Sequence, residues 1–480
     1  MKTINRFFLT FILCAIAGIS FAQDNMLYYM GSLPQSTHLN PARRTNYGTT
    51  IVLPGSNFGF SAQSLASFNE MFTKSEITGE YAMDYEKFLN SLEDGVNPMV
   101  FNASTELLGI YTKSKNGTFN LSLSTGINSF TGFEKDMIGM LAKGLGDEDY
   151  IGRPIEIAPV IDFMHYHKLM IGGSRKINDK LNIGVNFNLL MGQAAFSMNQ
   201  ASLKVRQGLA SENYAISTES NASAYTAGYA NTVDLTEGSV SADDFIDSFM
   251  EDPVGSAFST SNMGFTVDLG ATYQFTEKLF FEASVRNLGK QITFKKDLQK
   301  YSVELNDESL AFDGIDPAEL TSGGELSFID TDDLYSFEND GETGEFTIAL
   351  PTTYMAGARY ELTRTTTTGA MLSGTSYRDD FFTTFAMSID QEVGDFIGLG
   401  FNYAINKFGH QVGTAVTVGL PGIKVYLATD NALAAVKALD AKTVNLRAGV
   451  TLNFGRKLES ERSKTDRKAR KKSQQSLILE

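Results

Sequence analysis

The chain lacks most of what would hold a conventional exported globule together. Among 480 residues there is one cysteine, no tryptophan and only four histidines. Cys14 lies inside the N-terminal apolar run and leaves with it if that run is cleaved, so the mature chain is expected to hold no disulfide, thiolate nucleophile or cysteine metal site. Beyond the first 22 residues, no apolar stretch reaches the 18 or so residues a spanning helix needs. Basic charge is also scarce: the net charge is -16, which argues against a nucleic-acid binder, since phosphate contacts require clustered Lys and Arg. With 42% apolar and 20% charged residues, the chain is not disordered throughout. Its mean hydropathy of -0.13 excludes a helical membrane protein but not a β-barrel, whose strands are apolar on one face only.

The first residues follow the order of a secretory leader. Lys2 and Arg6 precede the apolar run from Phe7 to Ile19, then Ser20-Phe21-Ala22 stand before Gln23. Residues 1–22 are read as a signal peptide cleaved after Ala22.

Strict period-two alternation recurs along the rest of the chain. From Thr443 to Phe454, Val444, Leu446, Ala448, Val450, Leu452 and Phe454 share one face, and Asn445, Arg447, Gly449, Thr451 and Asn453 the other. This is the strand length that crosses a bilayer at a tilt. Leu181 to Leu189 and Phe265 to Phe275 repeat the pattern, and segments beginning at Phe119, Tyr354, Phe381, Ile397, Val412 and Ile423 give shorter versions. The polar faces carry Gly, Asn, Ser and Thr more than Lys and Glu, which suits a crowded lumen. Connections alternate too. Short turns at 114–117, 178–180, 276–278, 363–366, 391–395 and 420–422 fall on one side, and the long connections 131–167, 207–262 and 296–345 on the other. Short turns at one end and long loops at the other are the outer-membrane pattern. Thirteen strands from Glu106 to Phe454, plus a first strand near Thr49 to Phe60 interrupted by Pro54, predict an all-β transmembrane antiparallel barrel of about 14 strands, both termini periplasmic.

Charge is local. Residues 301–346 hold 14 acidic residues and no Lys or Arg, so this external loop supplies -14. Within it Asp330, Asp332 and Asp333 stand close enough to share a calcium ion, without the twelve-residue loop spacing; the alternative is a solvated loop. Residues 456–480 carry nine basic and four acidic residues, read as a periplasmic tail that is a soluble extension or touches lipid headgroups, peptidoglycan or a partner. His165 and His167 form an H-x-H pair, either a zinc pair or part of a polar strand end. Residues 61–99 and 131–150 have helical spacing at Leu65, Phe68, Met71 and Phe72 and at Met137, Met140 and Leu141, as external lids or as packing on the rim. No G-x-S-x-G, H-E-x-x-H or phosphate-loop motif occurs; the chain is read as a non-enzyme without cofactor.

Three stretches resemble a Bacteroidota outer-membrane barrel family of unknown function. They are Met26-Leu-Tyr-Tyr-Met-Gly-Ser-Leu-Pro34-Gln35 with Asn40-Pro41-Ala42, the run from Gly172 to Leu181 with Gly184, and Tyr426 to Asn431 followed by Val444 to Gly449. Asn40-Pro41-Ala42 is also similar to a motif of long-chain fatty-acid-transporter-like and PorV-like barrels, a resemblance that implies about 14 strands and makes Asn40, Pro41 and Ala42 plug residues; residues 23–48 are read as a periplasmic N-terminal segment or plug. Arg447, Gly449, Leu452 and Phe454 resemble the signal read by the barrel-assembly machinery, here followed by residues 455–480. The expectation is a barrel over 49–454 in outer-membrane lipid, acting as a channel or binder for a small apolar compound. The alternative is an accessory barrel of a type IX-like secretion or surface-assembly system that holds a protein partner.

Overall fold

In a computed structural model the described residues are 25–455, except 32, 46, 76–78, 80, 199–200, 229–260, 306–334, 342–343, 379, 395 and 421. The leader, the basic tail, most of the acidic segment and the candidate calcium ligands Asp330, Asp332 and Asp333 lie outside the described residues.

Fourteen antiparallel strands close into a barrel. The first, β1, runs in two pieces, Thr49–Val52 and Asn57–Ser64. Then follow β2 (Val96–Lys113), β3 (Gly117–Glu134), β4 (Val160–Lys176), β5 (Leu181–Met198), β6 (Met263–Gln274) and β7 (Leu279–Phe294). The second half is β8 (Thr352–Glu361), β9 (Thr366–Tyr377), β10 (Asp380–Val393), β11 (Ile397–Asn406), β12 (Gly409–Leu420), β13 (Ile423–Thr429) and β14 (Thr443–Phe454). Closure is made by β14 against both pieces of β1, with Thr49 opposite Phe454 and Asn57 opposite Gly449. Between Val52 and Asn57 the residues opposite on β2 advance only from Gly109 to Thr105 at Phe58, so Pro54 and Gly55 sit in a bulge. A proline, which has no N–H to give the ladder, is tolerated there.

The two faces of each strand follow the sequence parity. On β5, Asn182, Asn186 and Asn188 are buried inward while Ile183 and Phe187 are exposed outward. On β11, Asn402 and Ala404 point in and Phe401, Tyr403 and Ile405 point out. The outward residues, with Phe265, Leu269, Leu372, Phe385, Ile389, Val416, Val425 and Leu427, make an apolar exterior. An apolar outer band over a polar interior is the outer-membrane barrel arrangement. No helix among the described residues is long and apolar enough to span a bilayer; the crossing elements are strands.

The end with the long connections is more ordered than the sequence pattern implies. Strand β3 runs on to Glu134 and β4 begins at Val160, inside what reads as the connection 131–167. Ile216–Gly228 pairs with the end of β5 and with Leu298–Leu305, which in turn pairs with Tyr335–Gly341. Ser202–Gln207 joins Ile216–Gly228 to Ile155–Glu156. The sheet thus continues past the barrel rim, because the new strands complete edges that β5 would otherwise leave open. The helical spacings resolve into Phe68–Met71, Tyr85–Ser91 and Lys135–Lys143, the second capped by the Asp84 side chain accepting from the Lys87 N–H at 3.0 Å. Residues 61–64 remain strand, and Phe72–Lys74 pairs with Tyr81–Met83 in a hairpin. Met71, Phe72, Phe88, Leu89, Met137, Ile138 and Met140 bury together with Phe130, Phe133, Tyr301, Phe382 and Phe408 in one apolar cluster over the mouth.

Candidate functional site

Residues 25–31 and 33–45 lie inside the barrel, and the inward glycines make room for them. A Cβ at Gly184 would stand 2.2 Å from the Pro41 carbonyl carbon, and one at Gly270 would stand 2.1 Å from Asn40 Oδ1. Such distances are forbidden to any larger residue unless the segment moves, so these two positions fix how closely the chain approaches the wall. The segment itself begins with a short helix, Asn25–Tyr29, followed by a 3-10 turn, Pro34–His38, that starts at a proline already holding the required φ. Met26, Leu27, Tyr28, Tyr29, Met30, Leu33 and Leu39 form an apolar cluster with inward Met355, Met371, Ala386, Ala404 and Ala415.

Polar contacts tie the segment to strands around the circumference. Asn40 accepts the Ala42 N–H at 2.9 Å and donates to the Ala271 and Ala283 carbonyls on β6 and β7 at 3.3 and 3.4 Å. Asn182 donates to the Ala42 carbonyl, Asn186 to Thr37 and Ser284 to Leu39. The Met26 N–H donates to Asp430 at 2.7 Å. At the centre stands an ion cluster. Glu282, with no exposed side-chain surface, accepts from Arg43 Nη2 at 2.5 Å and Nε at 3.0 Å, and from Arg359 Nε at 2.8 Å. Arg43 also donates to the Tyr28 carbonyl and lies over the Tyr28 ring at 4.2 Å. Burying a carboxylate is tolerable only with partners of this quality.

Above the segment a chamber of about 160 Å³ separates it from the apolar cluster over the mouth. Phe382 and Phe408, stacked at 6.3 Å, belong to that cluster and form part of the chamber wall. Leu27, Gln35 and His38 close it from the segment side. Lys168, Arg286 and Arg447 line it, with Glu106 as the carboxylate. Glu106 accepts from Gln35, Asn57, Tyr111 and Ser122 at 3.2, 2.9, 2.5 and 2.9 Å. His38 Nε2 meets the Tyr111 hydroxyl at 2.6 Å, and burial, reinforced by Lys168, Arg286 and Arg447, holds its imidazole well below the ordinary value of 6.5.

The wall beside the chamber is interrupted. On β7, Arg286 pairs with Thr353 and Ile292 with Ile348, while no ladder pairing to that side is made in between. Asn287 has a φ of 57°, a left-handed conformation Asn tolerates, and its N–H goes to Asp268 Oδ1 at 2.8 Å instead of to a strand. Its amide donates to the Pro351 carbonyl at 2.9 Å, and Pro351 has no N–H to return. Arg286, Asn287, Leu350 and Pro351 all border the chamber.

The residues singled out in the sequence fall in different places. Asn40, Pro41 and Ala42 press against β5, β6 and β7. Arg447 points inward and borders the chamber, Gly449 faces the Tyr426 ring, and Phe454 is exposed outward at the closing strand's end. His165 and His167 lie within β4, buried with ring centroids 5.2 Å apart; His165 Nε2 meets Thr125 at 2.8 Å. The neighbouring Asp162 is occupied by Ser197, Tyr377 and Arg378. Among the described residues, no three His, Cys, Asp or Glu side chains lie together as a metal site would need. Sequence reasoning missed Arg43, Glu282, Arg359 and Glu106. For Glu106, Glu282 and Arg359 the signal was a charged residue at a lumen-parity strand position otherwise given to Gly, Asn, Ser and Thr; Arg43, on no strand, carried no such signal.

Comparison with known proteins adds the following. None of the curated proteins matches the sequence. Solved barrels are similar in architecture at very low identity. The Pseudomonas putida toluene transporter TodX is 8% identical, with 87% of this chain and 91% of that one covered and a TM-score of 0.39. The Ralstonia pickettii toluene transporter TbuX is 9% identical, with 88% and 94% covered and a TM-score of 0.35. The translocator domain of the autotransporter NalP from Neisseria meningitidis is 10% identical, with 90% and 99% covered and a TM-score of 0.34. A family model described as a family of unknown function, DUF5723, matches residues 41–430.

Proposed function

Since the chain belongs to the DUF5723 family, whose function is unknown, its activity has to be read from its own geometry, and we propose a gated outer-membrane channel for a small apolar compound. The observation that carries this reading is the pairing of a filled lumen with an interrupted wall. Residues 25–45 obstruct the straight path, while the chamber above them borders the break between β7 and β8. An apolar compound enters through the cluster over the mouth, which offers Phe, Met and Leu surface, and passes the Phe382–Phe408 layer. It leaves sideways at Leu350 and Pro351 into the bilayer, or downward when the N-terminal segment shifts. On this reading residues 23–48, with Asn40, Pro41 and Ala42 as the wall contact, are the plug. The short turns and both termini are periplasmic, the mature chain begins at Gln23, and Arg447, Gly449, Leu452 and Phe454 are the assembly signal.

The test is a reversible lock across the break. Asn287→Cys with Pro351→Cys, in a Cys14→Ser background, joins the two edges on oxidation. Uptake of an aromatic hydrocarbon into proteoliposomes or cells should fall on oxidation and return with reductant. Uptake indifferent to the lock, or absent from the folded parent barrel, overturns the reading.

A further inference from the structure

Strand β13 is too short to cross a bilayer. Its seven residues, Ile423–Thr429, fall below the about 9–11 that a tilted spanning strand needs. It pairs with β12 only as far as Thr414 and with β14 only as far as Arg447. Above it, residues 409–413 of β12 and 443–446 of β14 face each other across a notch without a ladder between them. Residues 430–442 fill that notch as two 3-10 turns, Ala432–Ala435 and Ala438–Asp440, the first packed against β12 with Ala434 buried. The exposed side of the segment is apolar. Val436 is 84% exposed, more than any other large apolar residue described, and Leu433 and Leu439 are 60% and 45% exposed.

The register gives the height of the notch. Its β12 border pairs with β11 from Asn406 to Asn402, where Tyr403, Ile405 and Val412 are still exposed on the apolar exterior. On the β14 border, Val444 and Leu446 keep the lipid parity of that strand. Tyr403 stacks on His410 with ring centroids 5.9 Å apart, and its hydroxyl meets His410 Nδ1 at 2.5 Å. An outward tyrosine with a polar partner suits the membrane–water boundary, so the apolar exterior reaches the notch and meets its polar edge there.

From this placement we propose that residues 432–441 are an interfacial anchor, seated in lipid at the barrel end with the long connections, with Leu433, Val436 and Leu439 among the upper acyl carbons. Lipid is the occupant because the patch continues the apolar band of the strands on both sides of it. The backbone sets the depth. Turn bonds such as Val436 N–H to Leu433 and Asp440 N–H to Lys437 satisfy only part of it, so it stays at headgroup level, where water reaches the remainder. Lys437 and Asp440, both exposed, fit that level. Asp440 accepts from Asn69 at 2.6 Å and Lys442 meets Glu70 at 3.3 Å, which ties the segment to the helix Phe68–Met71 over the mouth. Asp430, just before the first turn, accepts the Met26 N–H of the lumen segment. The anchor is independent of the transport reading and requires only that the barrel sits in a membrane.

The test is fluorescence quenching on the full chain in phosphatidylcholine proteoliposomes, with folding verified by heat-modifiable mobility. Val436→Cys and Leu433→Cys, in a Cys14→Ser background, each carry an environment-sensitive fluorophore. Leu427→Cys on β13 is the deep lipid reference, and Lys115→Cys in an exposed turn is the aqueous one. At 433 and 436, a nitroxide near the headgroup end of the acyl chain should quench more strongly than one at the chain terminus, and iodide less than at Lys115→Cys. Iodide quenching equal to that at Lys115→Cys, with no quenching by either nitroxide, puts the segment in water and overturns the proposal. Shielding from iodide and nitroxides alike, as under a second copy or another protein, overturns it as well.

Discussion

Removing Arg43 should unseat the N-terminal segment while leaving the barrel closed. Arg43 is 5% exposed and holds Glu282 through two nitrogens, the Tyr28 carbonyl through a third, and the Tyr28 ring by its charge. Removing one partner of a buried ion pair costs about 3–5 kcal/mol, because the other charge stays buried. Glu282 keeps Arg359 at 2.8 Å, so the lower figure applies. About 3 kcal/mol is roughly a hundredfold shift in the seating equilibrium. None of these contacts belongs to the strand ladders, so the barrel should persist. Two readouts follow for Arg43→Ala: single-channel conductance in planar bilayers, and maleimide labelling of a cysteine placed at buried Met30 in a Cys14→Ser background. Conductance should rise, and Met30→Cys should label at least tenfold faster than in the parent. A folded Arg43→Ala barrel with parental conductance and labelling would refute the idea that this cluster holds the segment.

Gly184→Leu should have the same effect by crowding, since its Cβ alone meets the Pro41 backbone, and overpacking costs about 1–3 kcal/mol; thiol labelling at Met30→Cys measures it. Seating should also depend on pH through His38. Its folded pKa lies below 6.5, so the released segment binds more protons, and seating weakens as pH falls below about 6.5 by up to about 1.4 kcal/mol per unit. His38→Gln should flatten that slope in the labelling assay. On the lipid face, Leu427→Arg should destabilise the barrel by about 2–4 kcal/mol in urea-gradient unfolding, whereas Asn445→Ser, facing inward on the next strand, should cost less. Phe454→Ala should lower the folded, heat-modifiable fraction during assembly without changing the unfolding midpoint of the barrels that do form.

Alternation in the sequence was enough to determine the barrel strands and their two faces, and the lengths of the connections determined which end carries the short turns. Each of these is a local property: side chains alternate along any strand, so parity at Val444 to Phe454 or Leu181 to Leu189 assigns lipid and lumen before any partner is known. Even the broken first strand was legible, because Pro54 and Gly55 announce a bulge. Where the chain looked loop-like, at 216–228, 298–305 and 335–341, tertiary pairing made strands, since an unpaired sheet edge gains from any neighbour able to complete it. The site was mostly out of reach. Arg43 and Glu282 are 239 residues apart, and Lys168, Arg286 and Arg447 come from three distant strands. Parity says only that such residues face inward. Which of them meet across the lumen depends on the closure of fourteen strands and on a segment threaded between them, and only the folded barrel decides that.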